Sequence, residues 1–318
     1  MIRAVASILS PRGARGRLSI LIFHRVVPHR DPLQPDTPDA QRFEQVLRWV
    51  ARWFHVLPLD EAVARLAARS LPARAAAITF DDGYADNATV ALPVLQRVGL
   101  PATFFIATSF VDGGRMWNDT VIEAVRACRT NRLDLEAAGL GCFDIEDDEQ
   151  RRRAVERLLP MIKYLEPAQR EAAVASVRAA CGEDLPDDLM MSSDQVRALR
   201  RAGMQIGAHT RTHPILARIG EREAVAEIEG SKHDLQALLG EPVSLFAYPN
   251  GKPGADYRAR HADLVRRAGF AAALSTAPGA ASAGSDPFQL PRFTPWDRQP
   301  LRFGLRMTAN LCSSGATA

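Results

Sequence analysis

The chain has 318 residues, 47% hydrophobic and 24% charged, with a net charge of +3. Those proportions describe a globular protein with a sizeable core and exclude collagen, low-complexity disorder and a coiled coil as its main architecture. The charge is uneven: residues 1–30 carry six arginines and no acid, and the rest of the chain sums to −3.

In chain order, residues 1–17 read as a basic N-terminal tail. Its apolar run, Ala4–Leu9, is broken by Ser7 and is short for a secretion signal. A solvated tail and a peripheral contact with an anionic membrane surface are both open readings. Nucleic acid is not expected, because no lysine accompanies the arginines. LSILIF (18–23) reads as a buried strand, and Gln41–Trp53 places Phe43, Val46, Leu47 and Val50 at helical spacing. Asp60 reads as the N-cap of a helix over 61–68. AAAITF (75–80) is a second strand, Asn87–Val98 a helix closed by Gly99, and ATFFIA (102–107) a further strand. Residues 112–192 break this rhythm with polar, mostly helical segments at 119–127, 147–164 and 167–179, and read as a helical insertion. The alternation then resumes with a helix over 193–202, MQIGAH (204–209), and a helix over 221–239 closed by Gly240. VSLFAY (243–248), a helix over 256–268 and FAAALS (270–275) complete it, and 301–318 read as a C-terminal tail.

Strands alternating with helices predict an α/β chain with a mainly parallel sheet, closed or nearly closed into a barrel over residues 18–300. An open doubly wound sheet is the alternative. No G-x-G-x-x-G follows a strand, and no Walker A pattern exists, so a dinucleotide site has no support. The cysteines at 128, 142, 181 and 312 form no C-x-x-C pair and suit free thiols in a reducing compartment. A cytoplasmic location is expected, with the basic N-terminus able to touch the inner membrane face.

Four segments fall at the C-terminal ends of predicted strands, the active-site edge of a parallel barrel. In the first, Asp81 and Asp82 stand side by side before Gly83. Adjacent carboxylates repel unless a cation or a shared proton relieves them. One aspartate holding a metal while the other takes a proton from water resolves the conflict; a helix N-cap followed by a first-turn acid is the plainer alternative. In the second, His209 and His213 lie four apart, and Pro214 disfavours α geometry at His213. That predicts a turn bringing both imidazoles round one point. Asp82, His209 and His213 as ligands would leave a coordination position open, as hydrolytic metal sites do. The third, FAYPNG (246–251), offers a groove wall and backbone N–H groups, or simply a strand exit. The fourth places His24 at the same edge.

Together TFDDG (79–83), HTRTHP (209–214) and FAYPNG (246–251) resemble the metal-dependent polysaccharide deacetylase family, also called the NodB-homology or carbohydrate esterase family 4 group. The similarity covers about residues 18–111 and 192–295. The resemblance implies a deformed (β/α) barrel and removal of N-acetyl groups from sugars, of the exopolysaccharide or poly-N-acetylglucosamine type. By motif, Asp81 would be the general base. Asp82, His209 and His213 would hold a divalent metal, zinc before cobalt, nickel or manganese. Tyr84, Trp117, Tyr248, Pro249, Asn250 and Arg292 would line the substrate groove. Two family positions are changed: Ala247 stands where an arginine orients the base, and no histidine follows His261 to act as general acid. Arg292 and His24 are the expected replacements. The implied partner is an N-acetylated glycan or a lipid-linked sugar. Hydrolysis of another amide or C–N bond on the same fold, and glycan binding without catalysis, are the alternatives.

Overall fold

The apolar runs line up as the staves of one barrel. A computed structural model describes every residue except Glu183 and Trp296. Its elements run α1 (Ile2–Leu9), β1 (Leu18–Phe23), α2 (Ala40–Trp53), β2 (His55–Val56), α3 (Leu59–Ala67), β3 (Ala75–Phe80), α4 (Leu92–Val98) and β4 (Thr103–Ile106). They continue with α5 (Trp117–Ala127), β5 (Arg132–Leu135), β6 (Gly141–Asp144), α6 (Asp148–Lys163), α7 (Pro167–Cys181), α8 (Ser193–Arg201) and β7 (Gln205–Ala208). The last are α9 (Glu221–Leu239), β8 (Leu245–Ala247), α10 (Ala259–Arg267), β9 (Ala272–Pro278), β10 (Leu290–Arg292) and α11 (Pro300–Asn310).

The strands pair in the order β1-β3-β4-β7-β8-β9-β10, each parallel to the next. Phe293, directly after β10, pairs in parallel with Leu21 of β1. Its N–H donates to the Ile20 carbonyl and its own carbonyl accepts from Ile22. The sheet therefore returns on itself as a nearly closed barrel, and the open doubly wound alternative falls. β1 and β3 are buried along their whole length, so each serves two cores. Leu18 and Ile20 join Ala75, Ala77 and Leu274 in one cluster, while Leu21 and Phe23 join Ile78, Phe80 and Phe104 in another that meets the helices. Gly207 on β7 is required by close packing: a Cβ there would lie 2.4 Å from the Phe105 ring.

Several local expectations are corrected. Helix α3 begins at Leu59 with Pro58 at its N-cap, and Asp60 lies in its first turn. The cap is supplied from elsewhere, because Gln205 Oε1 accepts the Leu59 N–H at 2.9 Å. The helix expected over 87–98 opens with a π turn (Asn87–Ala91) before α4, and Gly99 ends it at φ 71° as its left-handed role requires. The insertion contains a hairpin as well as helices: β5 and β6 pair antiparallel. It has its own core, in which Val121 and Val125 meet Leu133, Phe143, Leu158 and Val177. Both segments read as tails carry helices, since Ile2 and Ala6, and Phe303 and Met307, recur at a four-residue period that buries one face. The two helices touch where Ile2 meets Gly304. Among the described residues no helix is long and apolar enough to cross a membrane.

Candidate active site

β3 ends at Phe80 and delivers Asp81 and Asp82 to the rim of the barrel. The two side chains part company there, because Asp82 takes a left-handed backbone conformation at φ 79°. Thr210, His213 and Asn250 share that conformation at φ 63°, 57° and 58°. Non-glycine residues rarely adopt it, and its concentration in three rim loops marks a site where side-chain direction outweighs backbone comfort.

Asp81 is held by a buried arginine. Arg292 Nη1 and Nη2 each donate to one Asp81 oxygen at 2.7 Å, and Nε donates to the Ser275 carbonyl at 2.8 Å. Both residues are nearly inaccessible, at 1% and 2%. Burial alone would raise the Asp81 pKa; the charge of Arg292, with that of His209 behind it, holds it below the usual carboxylate value. Arg292 thus lies against Asp81, where a replacement for the missing arginine was expected, but it is buried behind that carboxylate and does not line the substrate cleft. Ala247 contributes only its carbonyl, which accepts from His209 Nδ1 at 2.8 Å.

That bond fixes the His209 tautomer and leaves Nε2 facing inward. His209 Nε2 and His213 Nε2 each lie 3.3 Å from Asp82 Oδ1. Burial pushes the His213 pKa down to about 4, so its ring is neutral near pH 7. Burial works against a proton on His209 as well, but Asp81 and Asp82 outweigh it and raise that pKa. A potential that favours a proton there also favours a cation. Asp82 Oδ1 is buried and makes no hydrogen bond. The three ligand atoms lie within 4.8 Å of one another. One carboxylate oxygen and two imidazole nitrogens around an orphaned acceptor fit a divalent cation.

The loop carrying the histidines is clamped from outside by a residue that sequence reading missed. Glu227 of α9 accepts from the N–H groups of Arg211 and Thr212 at 2.7 and 2.8 Å, and from the Thr212 hydroxyl at 2.6 Å. The available signal was an acid on the buried face of α9. The loop is a turn and not a mid-helix pair, as Pro214 implied, with the His213 N–H donating to Thr210 Oγ1 at 3.2 Å.

The cleft above Asp82, His209 and His213 has a volume of about 420 Å3. His24, Trp117 and Asn250 line it as expected, and so do Asn118, Lys163 and Tyr164 from the insertion, which sequence reading did not single out. Three other expectations fail. Tyr248 is fully buried: its ring stacks on Tyr257 at 3.9 Å and its hydroxyl donates to the Phe288 carbonyl at 2.9 Å. Pro249 is buried with it and stays out of the cleft. Tyr84 is buried too, its hydroxyl donating to Asp119 at 3.1 Å beneath the Arg25 guanidinium. Burial, and the nearby Asp82 charge, push Asp119 up to about 7 against the pull of Arg25, so the pair ties α5 to the rim.

A nearly closed parallel barrel with an Asp–His–His cluster beside an ionised aspartate at its rim defines a hydrolase-type site. The sequence profile of the polysaccharide deacetylase family matches residues 68–273, well over half of the chain, and the chain belongs to that family. It is accordingly an enzyme, a hydrolase of carbon–nitrogen bonds. Its fold is shared by the Streptococcus pyogenes deacetylase PplD (TM-score 0.61, 19% identity, 92% of this chain and 97% of that one). IcaB from Ammonifex degensii is similar to the same degree (TM-score 0.60, 19% identity, 96% and 99%). In sequence, the Bacillus subtilis (strain 168) protein YxkH is 19% identical over 278 residues, 87% of this chain and 70% of YxkH.

Removing one partner of a buried ion pair costs about 3–5 kcal/mol. Arg292→Ala is therefore expected to lose that much unfolding free energy near pH 7. Asp81 carries a depressed native pKa, so its contribution is present above the unfolded pKa and lost as pH falls through the folded one. The gap between wild type and variant should shrink in acid. Denaturant unfolding at pH 7 and at about pH 2.5, below the unfolded carboxylate value of about 3.9, checks this; equal stability at pH 7, or a gap that widens in acid, contradicts it.

Proposed function

We propose that the protein removes N-acetyl groups from an N-acetylated sugar polymer or conjugate, with Asp81 as general base. The observation that carries the reading is the buried, unpartnered Asp82 Oδ1 between two inward-facing imidazoles, beside a carboxylate that Arg292 keeps ionised. Asp82, His209 and His213 would hold the metal, and their borderline donor set suits zinc first. A divalent cation bound there supplies Lewis-acid polarisation of the acetamide and acidifies water.

The protein's own groups do the rest. Asp81 accepts a proton from the water that attacks the acetamide carbonyl. Arg292 lies behind Asp81 and out of the cleft, and acts as a positioning residue. Asn250 lines the cleft, and its backbone N–H makes no hydrogen bond among the described residues, so it is the donor for the developing oxyanion. His24 is exposed in the same cleft and hands a proton to the departing amine. Trp117 offers a ring face to the sugar. The C–N bond breaks, acetate leaves, and the sugar gains an amine that is positively charged at neutral pH.

Acetate release from chitooligosaccharides tests this. It should vanish with chelator and return with zinc. Asp81→Asn should lower kcat by roughly 10²–10⁴-fold. Oligosaccharide binding without acetate release under any divalent metal would favour a non-catalytic glycan-binding protein. Undiminished release by Asp81→Asn would remove the assigned base.

A further inference from the structure

Beside the metal cleft lies a second cavity that this chemistry leaves unused. It is a groove of about 950 Å3 that shares Met116, Trp117 and His213 with the cleft. Phe110, Val174 and Ala175 give it apolar surface, and Arg115, Arg170 and Arg178 give it charge. Glu171 is the one carboxylate among its lining residues. None of the three arginines forms an ion pair among the described residues. Arg170 is half-buried with its guanidinium 5.8 Å from the Trp117 ring, and burial with no opposing carboxylate holds its pKa down. Arg115 donates to the Leu185 and Pro186 carbonyls, while its Nε is buried without an acceptor.

Arg115 and Arg170 are partly desolvated without counter-charge, which is costly unless a ligand brings one, and the exposed Arg178 adds positive charge at the mouth. Their planar forks match phosphate oxygens. We propose that this groove binds a phosphate or diphosphate ester carried by the sugar substrate while the acetamide occupies the metal cleft. The proposal rests on the deacetylase reading and narrows its substrate to an anionic sugar conjugate. A wholly neutral glycan would leave the arginines uncompensated. The apolar surface suits a nucleoside or a polyprenyl carrier equally, and the test separates them.

The experiment compares wild type with the Arg170→Ala/Arg178→Ala double variant on three substrates: neutral chitotetraose, N-acetylglucosamine on uridine diphosphate, and N-acetylglucosamine on a short polyprenyl diphosphate. The variant should lose about tenfold or more in kcat/KM on one or both diphosphates and under about twofold on chitotetraose. The diphosphate that wild type prefers names the carrier. Equal losses on all three, or none, overturn the proposal. A second readout needs no turnover: inorganic pyrophosphate, with chelator present, should raise the melting temperature of wild type and not of the double variant. No effect on wild type overturns the groove assignment, and acetate release from chitotetraose then still reports separately on the deacetylase.

The terminal helices carry a different observation. Val5 and Ile8 of α1 are 40% and 79% exposed, and Leu301 and Leu305 of α11 are 54% and 51% exposed. These rows lie on neighbouring helices joined at Ile2 and Gly304. Residues 1–30 and 298–318 contain arginines and no acid; Arg25, Arg298 and Arg306 pair with Asp86, Asp36 and Asp297, while Arg3, Arg12, Arg15 and Arg302 are exposed. We infer that this face docks on an anionic lipid surface, with the apolar rows entering the interface and Arg3, Arg12, Arg15 and Arg302 supplying charge for headgroups. Phosphatidylcholine vesicles with and without phosphatidylglycerol are the probe, at low and high salt. Wild type should sediment with the anionic vesicles at low salt only, and Ile8→Asp/Leu305→Asp should stay in solution while keeping acetate release from chitotetraose. Absence of sedimentation, or equal sedimentation with neutral vesicles, overturns the inference. A dimer in light scattering that the same changes dissolve would assign the face to a second copy of the chain instead.

Discussion

A guanidinium–carboxylate fork inside the barrel organises this site. Arg292 ends β10, one residue before the pairing that brings the sheet back to β1, and it reaches Asp81 at the end of β3. Its Nε is anchored on the β9 backbone. The same side chain therefore ties the closing strand to the catalytic edge and fixes the direction of one carboxylate. A buried pair of this kind adds little stability over a well-packed apolar replacement. What it does supply is an aspartate that stays ionised at 2% exposure.

That charge decides what its neighbour can do. Two adjacent carboxylates at the end of one strand would raise each other's pKa if they faced the same point. The left-handed turn at Asp82 sends the second one to the imidazoles, where its Oδ1 is left with two nitrogens at 3.3 Å and no hydrogen bond. The proposed division of labour between base and ligand would thus be a backbone property as much as a side-chain one. Glu227 contributes from a distance by holding the histidine loop through three hydrogen bonds. The insertion completes the enclosure, because α5 and α6 bring Trp117, Asn118, Lys163 and Tyr164 over the cleft.

The parts of this site legible in the sequence were those that are local. Asp81–Asp82 and His209–His213 each declare themselves within a few residues of a strand end, and the apolar runs at 18–23 and 75–80 become strands with those bounds. Arg292 lies 211 residues from Asp81 and was reachable only because the motif arginine was missing at Ala247. Tyr248 misled for a physical reason: an aromatic at a strand exit points either to the groove or to the body, and Tyr257 captures it by stacking. The β5–β6 hairpin hid because RLDL alternates over only four residues. The terminal helices hid because each buries a narrow apolar row in a short segment.

The most direct test of the account is calorimetric zinc binding to wild type, Asp81→Asn and Asp82→Asn. The division of labour predicts one zinc per chain for wild type and for Asp81→Asn at similar affinity. For Asp82→Asn, loss of the carboxylate ligand should weaken binding by at least about a hundredfold, taking a charged contact at ~3 kcal/mol. Retention of wild-type affinity by Asp82→Asn, or equal loss in both variants, would contradict the separation of ligand from base on which the mechanism stands.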